Sequence, residues 1–152
     1  MPELERSPAD LLATWGKHAA NVEIVATPAG LGLLELKLPT GVIYALDRSG
    51  PFAFRRGPGR VLLQVTVETV QLAADEPQEE ETLASSGVSS VNGRGLVLEV
   101  AKNFVVVRAG APILLGVLDD SWREVQVGQT VIFKSLEVIH AFAVDTSLVA
   151  RM

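Results

Sequence analysis

The chain has no cysteine among its 152 residues, which excludes disulfides, thiolate metal sites and a cysteine nucleophile. Aromatic residues are scarce at 5%, and charged residues stand at 20% against 48% hydrophobic. The core must therefore be built mainly from Val, Leu, Ile and Ala, and the β-branched members of that set favour strands. His18 and His140 are the only histidines, and no spacing around them announces a metal site. There is no phosphate loop, and Gly30-Leu31-Gly32 lacks the third glycine and following helix of a dinucleotide fingerprint. Ser85, Ser86, Ser89 and Ser90 supply hydroxyls without an identifiable base, and Asp119-Asp120-Ser121 reads as a solvated turn, since a calcium loop needs more oxygen ligands at set intervals. No apolar run approaches the ~18 residues of a membrane span. No basic segment and apolar run open the chain, so a cytoplasmic protein with no cofactor, no secretory signal and no membrane partner is expected.

The net charge of −5 is unevenly placed. Residues 75–82, Asp-Glu-Pro-Gln-Glu-Glu-Glu-Thr, hold five acids and no base, while residues 1–74 carry seven Lys/Arg against seven Asp/Glu and residues 83–152 carry six against six. The acidity thus belongs to one segment whose composition suits a solvated linker between two neutral units. The expected organisation is a first β unit with an N-terminal helix over 1–74, an acidic linker over 75–86 and a second β unit over 87–152.

Ser7-Pro8-Ala9-Asp10 carries a capping residue, a proline suited to the first helical position and a carboxylate two residues after it. One short amphipathic helix from about Pro8 to Ala19 follows, with Leu11, Leu12 and Trp15 on one face. From Asn21 onward, short Val/Leu/Ile runs alternate with Gly, Pro, Asp and Asn, the pattern of strands and tight turns. Strands are predicted near Val22–Thr27, Gly32–Leu38, Val42–Leu46, Phe52–Arg55 and Arg60–Ala73, the last with a bulge at Thr69 where its alternation slips. A second set is predicted near Gly87–Val91, Gly95–Ala101, Phe104–Arg108, Ile113–Leu118 and Thr130–Val144, with a turn at Lys102-Asn103. Trp122–Val127 fits neither period.

The two sets echo one another. Gly30-Leu31-Gly32-Leu33-Leu34-Glu35-Leu36 returns as Gly93-Arg94-Gly95-Leu96-Val97-Leu98-Glu99-Val100, and Gly59-Arg60-Val61-Leu62-Leu63 with Val67-Glu68 parallels Gly128-Gln129-Thr130-Val131-Ile132 with Leu136-Glu137 at an offset of 69. The expected fold is all-β with one short N-terminal helix: two related small barrels of the oligonucleotide/oligosaccharide-binding or SH3-like kind, or one pseudo-duplicated sandwich. Phe104-Val105-Val106-Val107 and Ile113-Leu114-Leu115-Gly116-Val117-Leu118 are apolar on both faces, so a further layer or a second subunit must cover them, and a homo-oligomer is expected.

Arg48, Phe52, Phe54, Arg55, Arg56 and Arg60 surround a Gly57-Pro58-Gly59 turn with no acid after Asp47. Arginines interleaved with rings can meet phosphates and stack on bases, while the same arginines would also simply solvate an exposed hairpin. The resulting expectation is a non-catalytic binding or assembly protein acting as a homo-oligomer or with a protein partner. The alternatives are a single-stranded nucleic-acid module using Arg48 to Arg60, with Tyr44 as a further stacking ring, and an enzyme with a pocket between the two halves.

Overall fold

The computed structural model describes residues 14–26, 33–48, 57–73, 81–85 and 91–144. They are mostly strand: β1 (Ala20–Ala26), β2 (Leu33–Leu38), β3 (Gly41–Asp47), β4 (Gly57–Leu72), β5 (Thr82–Ser85), β6 (Val91–Ala101), β7 (Phe104–Arg108), β8 (Pro112–Val117), β9 (Thr130–Ser135) and β10 (Ile139–Ala143). Two 3-10 helices accompany them, η1 (Gly16–His18) and η2 (Asp120–Glu124).

The strands close on themselves. β4 pairs with β8, β8 with β7, β7 with β6, β6 with β9, and β9 returns to β4, forming a closed five-stranded barrel. Every ladder in it is antiparallel except β4–β8. That barrel is the second of two circuits in chain order; the first runs from β1 to β2, β3, β10 and β4 and back to β1, and here β3–β10 is the parallel ladder. β4 belongs to both circuits: residues 57–64 pair with β1 and β10, and residues 64–72 pair with β8 and β9. β5 adds to the free side of β6.

β4 is therefore the spine, and its sequence shows why. Residues 61–65 are buried without interruption, because the strand is covered on both faces where it passes from one circuit to the other. β10 and β9 run antiparallel beside it, from Ala143 opposite Val61 to Val131 opposite Leu72. The Leu136 N–H donating to the Thr66 carbonyl at 2.9 Å bridges the break between them. The expected bulge is present, as a register shift between Val67 and Val70.

Alternate residues of these strands point inward and form one continuous apolar cluster, including Leu34, Leu36, Ile43, Val65, Val105, Ile113, Leu115 and Ile139. A smaller cluster lies outside, where Leu62, Phe104, Val106, Leu114 and Phe142 are buried with Trp15. The Trp15 ring sits 5.5 Å from Phe104. So the outward faces of β7 and β8 are covered from within the chain, by the residue that leads into η1.

Several expectations change. The described end of the predicted helix, residues 14–18, is one helical turn that tightens into η1, and residues 8–13 lie outside the described residues. Thr130–Val144 is two strands, because residues 136–138 leave the ladder as the chain passes from one circuit to the other. β5 arises inside the segment read as linker: Leu83 is buried while Thr82 and Ala84 are exposed, a two-residue alternation too short to stand out beside the acids. Trp122 falls in η2, capped by the Asp119 carboxylate accepting from the Ser121 N–H at 2.8 Å. The strand predicted at Phe52–Arg55 lies outside the described residues, and of Gly87–Val91 only Val91, the start of β6, is described. The Lys102-Asn103 turn is as expected, with Asn103 at φ 66°.

Candidate binding face

The outward residues of four neighbouring strands form a groove of about 670 Å³ on the second circuit. Register places them in rows. Thr82 on β5 faces Arg94 on β6, Arg94 faces Ile132 on β9, and Ile132 faces Gln71 on β4. In the next row Ala84 faces Asn92, and Asn92 faces Lys134. Beyond Lys134 lies the β4 bulge with Glu68 and Thr69, and Leu136 closes that end. Because all four strands are hydrogen-bonded, the groove is built before any ligand arrives. It offers two cations, one acid, several amide and hydroxyl groups, and the apolar Ile132 and Leu136.

The inside of the barrel shapes this wall. A Cβ on Gly93 would overlap the Phe133 ring, so glycine is what lets that ring lie across β6. At Gly95 a Cβ would collide with the Arg108 carbonyl and the Val107 side chain.

Of the residues singled out in the sequence, Arg48 and Arg60 are described, and Phe52, Phe54, Arg55 and Arg56 lie outside the described residues. Arg48 donates through Nη1 to His140 Nδ1 at 2.9 Å and lies 5.6 Å over the Phe142 ring. A ring nitrogen that accepts from a guanidinium carries no proton, so neutral His140 is protonated on Nε2, which is 3.8 Å from Glu137. Arg60 is exposed and lines a smaller cleft of about 410 Å³ with Asn21, Glu23 and Pro58. The two arginines border the same strand: the Arg48 N–H donates to the Ala141 carbonyl and the Val144 N–H donates to the Arg60 carbonyl. Tyr44 is half-buried on β3, opposite Glu35. Neither His140 nor Glu137 lines either cleft.

Other charged groups fasten the structure. His18 Nε2 donates to Glu99 Oε1 at 2.6 Å and Lys17 stands 3.3 Å from the same oxygen, tying η1 to β6. Those hydrogen bonds, that from His18 first, hold the Glu99 carboxyl below its usual range against the opposing effect of burial. Glu81, at the end of the acidic run, accepts from Arg108 Nε at 2.8 Å and from the Gly110 N–H at 3.0 Å. The Arg108 hydrogen bond is the main reason its carboxyl also sits low. Asp119 is lowered by accepting from the Ser121 hydroxyl and N–H. Ser121 Oγ in turn accepts from the Val70 N–H at 2.9 Å, which pins η2 to the β4 bulge.

Among the described residues no group of three or more His, Cys, Asp or Glu stands together as a metal site, and no helix is long and apolar enough to cross a membrane. No protein-family model matches the chain, and no curated protein sequence matches it.

The groove residues were not singled out by the sequence because Arg94 and Lys134 are forty positions apart and each is a lone base in an ordinary strand. The available signal was alternation. Asn92 and Arg94 stand between the buried Val91, Gly93 and Gly95, which marks them as outward. Only the β6–β9 register then brings Lys134 beside them.

Proposed function

We propose that the chain is a non-catalytic binding or assembly protein, made of two copies of one five-stranded unit of the oligonucleotide/oligosaccharide-binding kind, and that it acts as a homo-oligomer. Register supports the duplication. Ala20 faces Val61 in β1–β4, and Gly93 faces Phe133 in β6–β9, positions 73 and 72 residues on. Glu35 faces Tyr44 in β2–β3, and Val106 faces Leu114 in β7–β8, 71 and 70 residues on. The parallel ladders agree as well: Ala45 beside Ile139 corresponds to Leu115 beside Val65, with the fifth strand in each case taken from the other side of the acidic segment. Inward positions map onto inward positions, as Leu34, Leu36, Ile43 and Ala45 are buried and so are Val105, Val107, Ile113 and Leu115. Neither sequence echo marks these equivalences: that at offset 69 joins β4 to β9, which occupy the same place in their circuits, but sets Val61 on Thr130 where register sets it on Phe133, and the glycine-flanked echo joins β2 to β6, which occupy different places.

The observation that carries the binding reading is the preformed groove of β5, β6, β9 and β4. Two large exposed apolar side chains flank the same half of β4, Leu118 at 42% and Leu136 at 55%. Backbone hydrogen bonds from Leu118 to Val67 and from Leu136 to Thr66 set them on either side of that strand. Lys134 and Glu68 near one another give such a face both signs of charge, as a two-fold contact between identical copies requires. Light scattering coupled to gel filtration tests this. The wild type should run at a multiple of 16.2 kDa, and Leu118→Asp/Leu136→Asp should run as a folded monomer. A wild type that is monomeric at every concentration would sink the homo-oligomer and leave the groove to another ligand.

A further inference from the structure

Each circuit is completed by a strand from the other side of the acidic segment. The first takes β1, β2, β3 and the beginning of β4 from the residues before the acidic segment, and β10 from those after it. The second takes β6, β7, β8 and β9 from after the segment, and the end of β4 from before it. Neither donated strand sits on an edge. β10 lies between β3 and β4, and residues 64–72 of β4 lie between β8 and β9. Each also supplies buried side chains. Ile139 and Ala141 enter the shared core, Phe142 enters the outer cluster, and all three are fully buried, as are Val65 and Val67 from the other donor.

We infer that the segments 1–74 and 87–152 are partners intertwined by reciprocal exchange of one strand, so that the surface each fits is the other, and that the acidic run between them is a tether whose scission the fold survives. Withdrawing β10 would leave β3 and β4 with unpaired backbone edges and open the first core to water, and withdrawing the end of β4 would do the same to β8, β9 and the second core. Segments joined in this way do not part as two domains meeting at a surface do. The inference stands on the pairings themselves, and the proposed duplication would explain its symmetry.

The test cuts the purified, folded chain. Residues 75–80 are replaced by a protease recognition sequence of the same length, and the cut protein is compared with the uncut by gel filtration and circular dichroism. Both fragments should elute together at the uncut volume with an unchanged spectrum, separating only in denaturant. Fragments that separate under native conditions, or that unfold on cutting, would overturn the inference. A second measurement does not depend on the cut. Because the chain has no cysteine, Gln64→Cys/His140→Cys on paired positions of β4 and β10 should form a disulfide within one chain, seen as a faster-running monomer on a non-reducing gel. Linked dimers, or no link under oxidation, would show that β10 is not exchanged within the chain.

Discussion

The two circuits share a strand order but fill their interiors differently. Where the first sets Ala20 opposite Val61, the second sets Gly93 opposite Phe133, and where the first has Val22 the second has Gly95. One interior spreads its volume over two medium side chains, and the other gives nearly all of it to one ring resting on a bare backbone. Inside and outside positions are thus kept while residue identities change, as expected if patterning selects the fold and summed volume selects the residues. The outer face of the second circuit is itself divided. Trp15 closes over Leu62, Phe142 and the outward side of β7 and β8, whereas β6, β9 and the end of β4 gain only β5 and keep a groove.

Removing the Trp15 cover should have the largest effect on stability. Trp15 is 7% exposed at the centre of the outer cluster, so Trp15→Ala should cost about 3–5 kcal/mol. Urea unfolding reads that loss, and binding of an apolar dye reads the exposed Phe104 and Leu114; a loss under about 1 kcal/mol would mean that the outer cluster is not part of the core. Next comes Gly95→Ala, at about 3 kcal/mol, because the obstacle is the Arg108 backbone and cannot rotate away. Gly93→Ala should cost about 2 kcal/mol, and here the obstacle is a side chain. Combining it with Phe133→Val recreates the Ala–Val pair of the first circuit. That double variant should be less destabilised than the two single ones added together by about 1 kcal/mol or more. Strict additivity would show that the two positions are not equivalent in packing.

Much of the β architecture was legible because strands announce themselves by local alternation and turn residues. β7 was read to the residue from an apolar run between the Lys102-Asn103 turn and Arg108, and the β4 bulge from one slip in its period. What stayed hidden was set by pairing. Nothing local shows that Thr130–Val144 must break at 136–138, since the break exists to carry the chain between circuits. The groove was hidden for the same reason, being a property of three registers at once. Apolar faces on β7 and β8 were correctly read as covered, but periodicity says only that a cover exists, and Trp15 supplies it from ninety residues away. Arg48 read as a phosphate-binding or solvated cation because its acceptor, His140, is brought to it only by the parallel β3–β10 ladder.

The smallest expected effect concerns pH and separates the two attachments to the second circuit. Glu99 holds η1, and with it the cover over the outer cluster, while Glu81 holds the head of β5 against the turn between β7 and β8. Both carboxyls lie below their ordinary value of about 4.5 in the folded protein. A lowered folded value means that the unfolded chain binds the proton first as the solution is acidified, so the contribution is complete above about pH 4.5 and lost as pH falls through the folded value. Glu99 is one-third exposed and shares its oxygen with the more exposed Lys17, so solvent screening limits its contribution to about 0.5 kcal/mol. Urea midpoints should therefore hold level from neutral pH to about pH 5 and then decline, with Glu99→Gln and Glu81→Gln each flattening part of the decline. Only Glu99→Gln should also raise dye binding at neutral pH, because only that carboxylate helps to hold Trp15 in place. An equal rise in the two variants would mean that the Trp15 cover is fastened by packing alone.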